Sequence, residues 1–329
     1  MVLQYGASPV PCSVGNFPDN RAMGIGNYIQ TIGRGREGAR ALTREQACDL
    51  MGQILDGNCS DIETGAFCMA MRIKGETPEE MAGFLQATEQ RLQPVQLQEA
   101  HPQRLPVLLP SYNGARRLPV LTPLLALLLA RQGATVILHG CATESRRVFT
   151  SEVLSGLGIQ AQPATQPCSP GNVHFVPTHA LHQGLQNLLD ARRLMQLRNP
   201  AHSLVKLLNP LARPCLLVTS YTHPEYASTM AQVLALRNSH AMLLRGTEGE
   251  AVADARRAPA MQCFLNGRLT QSFEAQSGAL AQLPELPATC AAAATVQYIQ
   301  AVLDGKLPVP DPIALQAARI LTLCEQPAE

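Results

Sequence analysis

Apolar side chains between residues 43 and 92 recur three or four positions apart, which is the spacing of one face of an α-helix. Three helix starts lie in this segment, each a serine or threonine followed three residues later by glutamate or glutamine, a pairing that caps a helix N-terminus. They are Thr43 with Gln46, Ser60 with Glu63, and Thr77 with Glu80. Gly57 and Gly75 follow the first two helices as stops, and a short helix is expected around residues 25–32. The segment is therefore predicted to be a helical lobe.

Beyond residue 104 the pattern changes to short apolar runs that alternate with helical segments, which is typical of an α/β protein. The runs predicted as strands are 106–109, 135–138, 173–176, 215–219, 241–244 and 261–265. The segments predicted as helices are 123–131, 151–157, 181–196, 224–237, 289–304 and 312–323. Such alternation favours a mostly parallel central sheet, whose ligands usually bind beyond the carboxyl ends of the strands.

These patterns divide the chain into three parts. Residues 1–24, interrupted by prolines and glycines, are expected to form an N-terminal extension. Residues 25–100 are predicted to be the small helical lobe, with part of 178–212 packing on it, and residues 101–329 the larger α/β lobe. The predicted fold class is α/β, with a helical lobe joined to a lobe built on the parallel sheet.

Composition excludes several classes of protein. The ten cysteines stand singly with no CxxC pair and no paired Cys/His spacing, so no zinc site is expected. No cofactor is expected either. The longest apolar run, 118–130, has about 13 residues against the roughly 20 that cross a bilayer. No basic start followed by an apolar run opens the chain. The sequence therefore predicts a soluble, cytoplasmic protein that does not enter a membrane.

Charge is distributed unevenly, although the formal net charge is only +1. Between residues 111 and 213, ten basic residues stand against three acidic ones, a local balance of +7 that leaves −6 for the rest of the chain. Arginine, the main contributor, gives bidentate hydrogen bonds to phosphate and can stack on an exposed base. This third of the chain is therefore a candidate surface for a polyanion.

Several stretches of the sequence resemble the anthranilate phosphoribosyltransferase family, over about residues 25–325. They are DIETGAFCMAMRIKGETPEEMAGFLQA (61–87), LHG (138–140), LSGLGI (154–159), LRNPAHSLVKLLNPLARP (197–214) and HPEYASTMAQVLALRNSHAMLLRGTEG (223–249). The resemblance implies the fold of that family, a helical lobe joined to an α/β lobe, with the substrate phosphates held in the cleft between them.

The loop after the first strand departs from the family pattern. Where the family has a GTGGD loop, this chain has Ser111, Tyr112, Asn113, Gly114 and Ala115. A pyrophosphate cradle needs glycines so that backbone N–H groups can approach the phosphates closely, and only Gly114 remains to do so. The loop is therefore interpreted as a degenerate phosphate loop, formed by the first four of these residues.

Two further departures lie on the same implied substrate site. The resemblance places Ala251 and Val252 where the family carries the Asp-Glu pair that holds magnesium, and these side chains offer no oxygen ligand. Nearby, Glu248, Glu250 and Asp254 leave a shifted metal site open as an alternative.

The third departure is in residues 139–152, where the family's run of small residues around the phosphates is replaced by a segment containing Arg146 and Arg147. Three losses on one binding site indicate that phosphoribosyl transfer is lost. The chain is therefore expected not to be an enzyme.

The same segments resemble the YbiB subfamily, whose members keep the fold and are understood to bind nucleic acids without evident sequence preference. PSYNGARR (110–117), LTPLLALLL (121–129), RNPAHSL (198–204) and GTEGE (246–250) carry this resemblance. It implies a nucleic acid, DNA or RNA, as the partner, and a homodimer formed through the helical lobe.

Charge and resemblance together select ten candidate nucleic-acid contacts. They are Arg34, Arg36, Arg116, Arg117, Arg146, Arg147, Arg192, Arg193, Arg198 and Lys206. Any one arginine could instead belong to a solvated surface, and Arg192 and Arg198 align with arginines of the family's anthranilate site. Arg34 and Arg36 could only cap the turn between two helices. Tyr112 could stack on a base or pack into the emptied cleft.

Three functions remain open from the sequence. The first is a nucleic-acid-binding protein whose arginine-lined cleft contacts the phosphate backbone, which gives affinity without sequence information. The second is a phosphoribosyl or glycosyl transferase with a rearranged phosphate and magnesium site. The third is a binding module for a small anionic metabolite.

Overall fold

The computed structural model describes residues 24–98, 104–279 and 283–325. The predicted N-terminal extension lies outside these ranges apart from its last residue. Five helices open the described chain: α1 (Gly26–Ile32), α2 (Gly35–Gly38), α3 (Arg44–Leu55), α4 (Asp61–Lys74) and α5 (Pro78–Glu89). All three predicted capping pairs form in both directions, at the starts of α3, α4 and α5. The prediction of a helical lobe is confirmed.

Buried contacts hold these helices together. The rings of Phe67 in α4 and Phe84 in α5 meet edge to face, with centroids 5.9 Å apart. The buried carboxylate of Glu80 accepts the N–H groups of Leu42 and Thr77, both at 2.9 Å, and pairs with Lys74 at 2.6 Å. Glu80, which takes part in the capping pair of α5, thus also fixes the segment that leads into α3.

Seven strands form one sheet in the order β3-β2-β1-β4-β5-β6-β7. They are β1 (Val107–Ser111), β2 (Val136–Gly140), β3 (Val173–Pro177), β4 (Leu216–Tyr221), β5 (His240–Arg245), β6 (Met261–Leu265) and β7 (Arg268–Phe273). The first five are parallel, and β6 and β7 are antiparallel to their neighbours. The mostly parallel sheet predicted from the sequence is confirmed, and all six predicted runs are strands.

The seventh strand was not predicted, because β7 is polar and exposed along most of its length. It pairs with β6 across a tight turn in which Asn266 and Gly267 have φ values of 46° and 72°. Asn-Gly is the residue pair that such a hairpin turn prefers, so the dipeptide was a usable signal.

Eight more helices surround the sheet: α6 (Thr122–Arg131), α7 (Thr150–Gly156), α8 (Thr178–Leu181), α9 (Gln183–Met195), α10 (Ala201–Leu204), α11 (Glu225–Leu236), α12 (Ala292–Leu303) and α13 (Asp311–Cys324). Alternate strand residues face opposite sides. Leu108 and Ile137 join an apolar cluster with the helical lobe, α9 and α11, whereas Leu109 and Leu138 join one with α6, α12 and α13. Helices α9 and α10 contact α3 and α5, so this part of 178–212 lies against the helical lobe.

Strand order reverses between β1 and β4. After β1 the chain builds outward through β2 and β3, and then returns to the other side of β1 with β4. In open parallel sheets, ligands bind beyond the carboxyl ends of the strands at such a switch point. The loops after β1, β2, β4 and β5 all begin at that edge of the sheet.

Candidate functional site

The loop after β1 is tied to the loop after β5 by a buried carboxylate. Glu250 is only 1% exposed and accepts the backbone N–H groups of Asn113 at 2.8 Å and Gly114 at 2.7 Å. The hydroxyl of Ser111 donates to the same side chain, and that of Thr122 lies 3.3 Å from it. We call the two N–H groups and the Ser111 hydroxyl the cradle. Its donors converge on an anion, and the anion belongs to the chain itself.

Glycine is required at two positions where the loop after β1 packs against the loops after β2 and β5. Gly114 has a φ of +64°, and a Cβ there would lie 2.8 Å from the carbonyl oxygen of Val148. Gly249 has a φ of +88°, and a Cβ there would lie 1.9 Å from Nδ2 of Asn113. Gly114, the single glycine among residues 111–115, therefore serves close packing against the loop after β2.

A second carboxylate holds the rest of the same loop. Glu248 accepts the N–H groups of Arg116 at 3.1 Å, Arg117 at 2.7 Å and Leu118 at 3.0 Å, and Arg147 lies 3.3 Å away. Burial opposes ionisation, but the hydrogen bonds from the three backbone N–H groups and the charge of Arg147 outweigh it and lower the pKa of Glu248. Glu248 is thus a carboxylate at neutral pH, fixed by the backbone.

These contacts do not fit a magnesium diphosphate site. Ala251 and Val252 are each 1% exposed and belong to the apolar core. The oxygens of Glu248 and Glu250 already accept several N–H and O–H groups. Within the described ranges, no three His, Cys, Asp or Glu side chains are grouped as a metal site.

Tyr112, next in the loop, points into the protein. It is 3% exposed, and its hydroxyl lies 2.7 Å from Nδ1 of His139. Of the two expectations for this ring, packing inside is what the structure contains. Burial lowers the pKa of His139 to about 3, so the imidazole is neutral.

Eight of the ten predicted basic contacts lie around this edge of the sheet. They are Arg116, Arg117, Arg146, Arg147, Arg192, Arg193, Arg198 and Lys206. Glu144 links the loop after β2 to α9, because it pairs with Arg147 of its own loop and with Arg192 of α9. Arg193 donates to the carbonyl oxygen of Ala142 at 3.0 Å. The sequence did not single out Glu144, because its two partners come together only in the fold.

These basic side chains differ in what they can offer a ligand. Arg116, Arg117 and Arg146 are exposed, and none of them forms an ion pair with another described residue. Lys206, in contrast, donates to the carbonyl oxygens of Ser220 at 3.2 Å and Gly249 at 3.1 Å. Lys206 therefore holds the loops after β4 and β5, while the exposed arginines remain available to a polyanion.

The remaining two candidates lie elsewhere. The guanidinium of Arg34 donates to the carbonyl oxygen of Gln30, one turn earlier in α1. This matches the capping interpretation. The side chain of Arg36 lies outside what the structure describes.

A cavity of about 350 Å³ opens beside these arginines, between the helical lobe and the α/β lobe. We call it the interlobe cavity, and its lining includes Arg72, Arg198, His202, Tyr221, His223 and Tyr226. Burial, with the charges of Arg192 and Arg147, lowers the pKa of Arg198. Sequence reasoning found Arg198 but missed the aromatic side chains, because they come from the loop after β4 and the start of α11. A Tyr-Thr-His-Pro-Glu-Tyr run at a strand end was the available signal.

None of the helices that the structure describes has both the length and the apolar character needed to span a bilayer.

Known proteins are similar to this chain in sequence and in fold. A family model described as "Glycosyl transferase family, helical bundle domain" matches residues 27–91. The uncharacterized protein YbiB of Escherichia coli (strain K12) is 35% identical over 298 residues, which cover 88% of this chain and 91% of that protein. An anthranilate phosphoribosyltransferase of Prochlorococcus marinus (strain MIT 9313) is 31% identical over 299 residues, 85% of this chain and 82% of that protein.

A solved structure agrees with these sequence relatives. Anthranilate phosphoribosyltransferase from Saccharomyces cerevisiae, in complex with PRPP and Mg, matches 92% of this chain and 88% of its own, with a TM-score of 0.69 and 17% identity. The likeness confirms the fold expected from the sequence.

Proposed function

The chain belongs to the YbiB-type family of proteins with the anthranilate phosphoribosyltransferase fold, and we propose that it binds nucleic acid without marked sequence preference. One observation carries the proposal: exposed arginines lie around a cradle that the chain's own Glu250 already fills. An anion recruited by those arginines contacts their side chains and not the backbone N–H groups. A phosphodiester chain that follows the surface of the loops suits this arrangement.

Charge at the site supports a polyanion over a single small anion. The eight basic residues at the edge of the sheet stand against Glu144, Asp190, Glu248 and Glu250, which leaves a local balance of +4. The exposed side chains come from separate loops, after β1 and after β2. Phosphates spaced along a backbone can meet several of them at once.

Loss of phosphoribosyl transfer is part of the proposal. The cradle donors that would hold a diphosphate are bonded to Glu250, and the positions of the metal-binding pair are apolar. We expect no turnover of PRPP with magnesium, with or without anthranilate. Measurable product formation would favour the alternative, a transferase with a rearranged site.

The test is binding of a fluorescent oligonucleotide of about 20 nucleotides by anisotropy at several salt concentrations. Log affinity should fall linearly with log salt, by about 0.7 per phosphate neutralised on a single strand. Arg116→Ala/Arg117→Ala should weaken binding and make that slope shallower by about 1.4, because two phosphate contacts are removed. Arg268→Ala is the control, because Arg268 is also exposed but lies on the far edge strand β7.

Each function predicts its own result in this assay. Salt-insensitive binding that the double substitution leaves unchanged would refute the proposal. Saturation by a mononucleotide, with no gain for a longer strand, would favour the small-anion module.

We also propose that the protein acts in the cytoplasm, where a nucleic-acid partner is present.

We also propose a homodimer formed through the helical lobe. Ile62, Met69 and Ile73 of α4 are 71%, 40% and 60% exposed, and their spacing puts them on one helix face. A contiguous apolar face of this kind is typical of an interface. Sedimentation velocity should give a dimer for the native chain and a monomer for Ile62→Glu/Ile73→Glu. Leu315→Glu, on the exposed side of α13, is the control, and a dimer in the double variant would exclude this face.

A further inference from the structure

The interlobe cavity is joined to the arginine surface but is not explained by it. Arg198 lines the cavity, and the positive charges of Arg192 and Arg147 at the edge of the sheet repel its guanidinium. The volume of the cavity, about 350 Å³, lies within the range of roughly 300–1,000 Å³ that small-ligand pockets have. A phosphodiester chain on the arginines therefore passes beside an opening that a single planar group could enter.

Two polar groups in the wall of the cavity, Nε2 of His202 and the guanidinium of Arg198, have no partner within the described ranges. His202 is 8% exposed, and its Nε2 has no hydrogen-bond partner there. Arg198 forms no ion pair with another described residue. Burial, and then the charges of Arg198 and Arg192, lower the pKa of His202 to about 3, so its ring is neutral. Buried polar atoms usually have a partner, and here a ligand in the cavity would supply it.

Aromatic side chains stand at the mouth of the cavity, and apolar ones form its floor. Tyr226 is 44% exposed, and its ring centroid lies 6.3 Å from that of His223 at an angle of 59°. Met71, Met81 and Val233 contribute apolar surface. An exposed aromatic ring above an apolar floor suits a flat heterocycle, which stacks on one side and forms hydrogen bonds along its edge.

We propose that the interlobe cavity accepts one unpaired nucleobase of a single-stranded nucleic acid whose backbone lies on the neighbouring arginines. This rests on the proposed function. The base stacks on Tyr226, its edge meets His202, and Arg198 contacts the adjoining phosphate. A duplex must unpair and unstack a base before that base can enter, so the protein prefers single strands to duplexes of equal length.

The chain contains no tryptophan, which gives a clean optical test. Tyr226→Trp introduces one indole at the mouth of the cavity and keeps an aromatic face. Leu236→Trp places one on the exposed surface at the far end of the same helix, as a matched control. A single-stranded oligonucleotide should quench the fluorescence of the first variant and leave that of the second nearly unchanged. A duplex should quench neither strongly.

Affinity gives a second, independent readout. Tyr226→Ala should bind a single strand roughly 5- to 100-fold more weakly, because one base–aromatic stack is lost. Its salt dependence should stay as steep as that of the native chain, because the phosphate contacts remain. Thermal unfolding of each variant checks that it is folded.

The possible failures are distinguishable. Salt-dependent binding without quenching in Tyr226→Trp, or equal affinity for single strand and duplex, would overturn this inference and leave the proposed function standing. Quenching by a mononucleotide with no contribution from a longer strand would also overturn it. Absence of binding to any oligonucleotide would overturn both proposals.

Discussion

The cradle and the interlobe cavity lie at the same edge of one sheet, yet one is satisfied from within and the other is open. In the cradle, the N–H groups of Asn113 and Gly114 bond to Glu250. In the cavity, Nε2 of His202 has no partner among the described residues, and Arg198 has no counter-ion there. The contrast teaches that a site inherited from a fold is judged by which of its polar groups are already bonded, and not by where it lies.

Removal of the internal anion should have the largest effect. Glu250→Ala leaves the cradle donors buried without a partner, and should lower the free energy of unfolding by about 3–5 kcal/mol in urea titrations. Glu250→Gln, which keeps one acceptor oxygen, should fall between this variant and the native chain. Glu274→Ala, at an exposed position, should change little. A loss in Glu250→Ala no larger than in this control would mean that the carboxylate does not hold the loop.

Sulfate should sharpen the same comparison. Sulfate, compared with chloride at the same ionic strength, should raise the urea midpoint of Glu250→Ala more than that of the native chain. The reason is that the emptied cradle can bind sulfate. Equal gains in both chains would indicate only the general stabilising effect of sulfate.

A pair of glycines separates backbone conformation from close packing. Gly114 and Gly57 have φ values of 64° and 73°, but only at Gly114 would a Cβ meet other atoms. Gly57→Ala, at the end of α3, should cost about 1 kcal/mol for the left-handed conformation alone. Gly114→Ala should cost about 2–4 kcal/mol, because it must also displace Val148. Equal losses of unfolding free energy in urea titrations would mean that the loop after β1 can move away from the loop after β2 at little cost.

Acid should destabilise both regions through one histidine each. His139 beneath the cradle and His202 in the cavity have pKa values of about 3, while the unfolded chain protonates histidine near 6.5. Their contribution is complete above pH 6.5 and is lost as the pH falls toward 3. Each should remove up to about 2 kcal/mol between pH 7 and 5.

Substitution can separate the two histidines. His202→Gln should make the fall in unfolding free energy with decreasing pH less steep, whereas His223→Gln, at an exposed position, should not. An unchanged pH dependence in His202→Gln would indicate that this histidine takes up a proton as readily in the folded protein as in the unfolded chain.

The smallest change in stability is expected for Arg198→Ala. This side chain has no ion pair within the described ranges, and burial next to other positive charges already disfavours its ionised form. The free energy of unfolding should change by no more than about 0.5 kcal/mol, while oligonucleotide affinity falls. A loss of stability as large as that in Glu250→Ala would show that the cavity, too, is held from within.

Most of the fold could be predicted because its signals are local. Caps such as Thr43 with Gln46 act over three residues, and a buried strand such as β2 is a short apolar run. Strand β7 was missed because its residues face solvent and give no apolar signal. Arg116 and its neighbours could be selected from charge alone. The role of Glu250 could not, because it bonds to groups about 137 residues earlier in the chain, and nothing local indicates which N–H it will meet.

The filled cradle also sets a limit on competition. Glu250 is tethered beside its donors, so its effective concentration there is on the order of millimolar or more, and it cannot be diluted or washed away. A diffusing phosphate compound at lower concentration gains nothing by being abundant for a short time. Under the proposed function, a free phosphate compound below that concentration does not displace Glu250, so the cradle does not respond to changes in the level of such compounds.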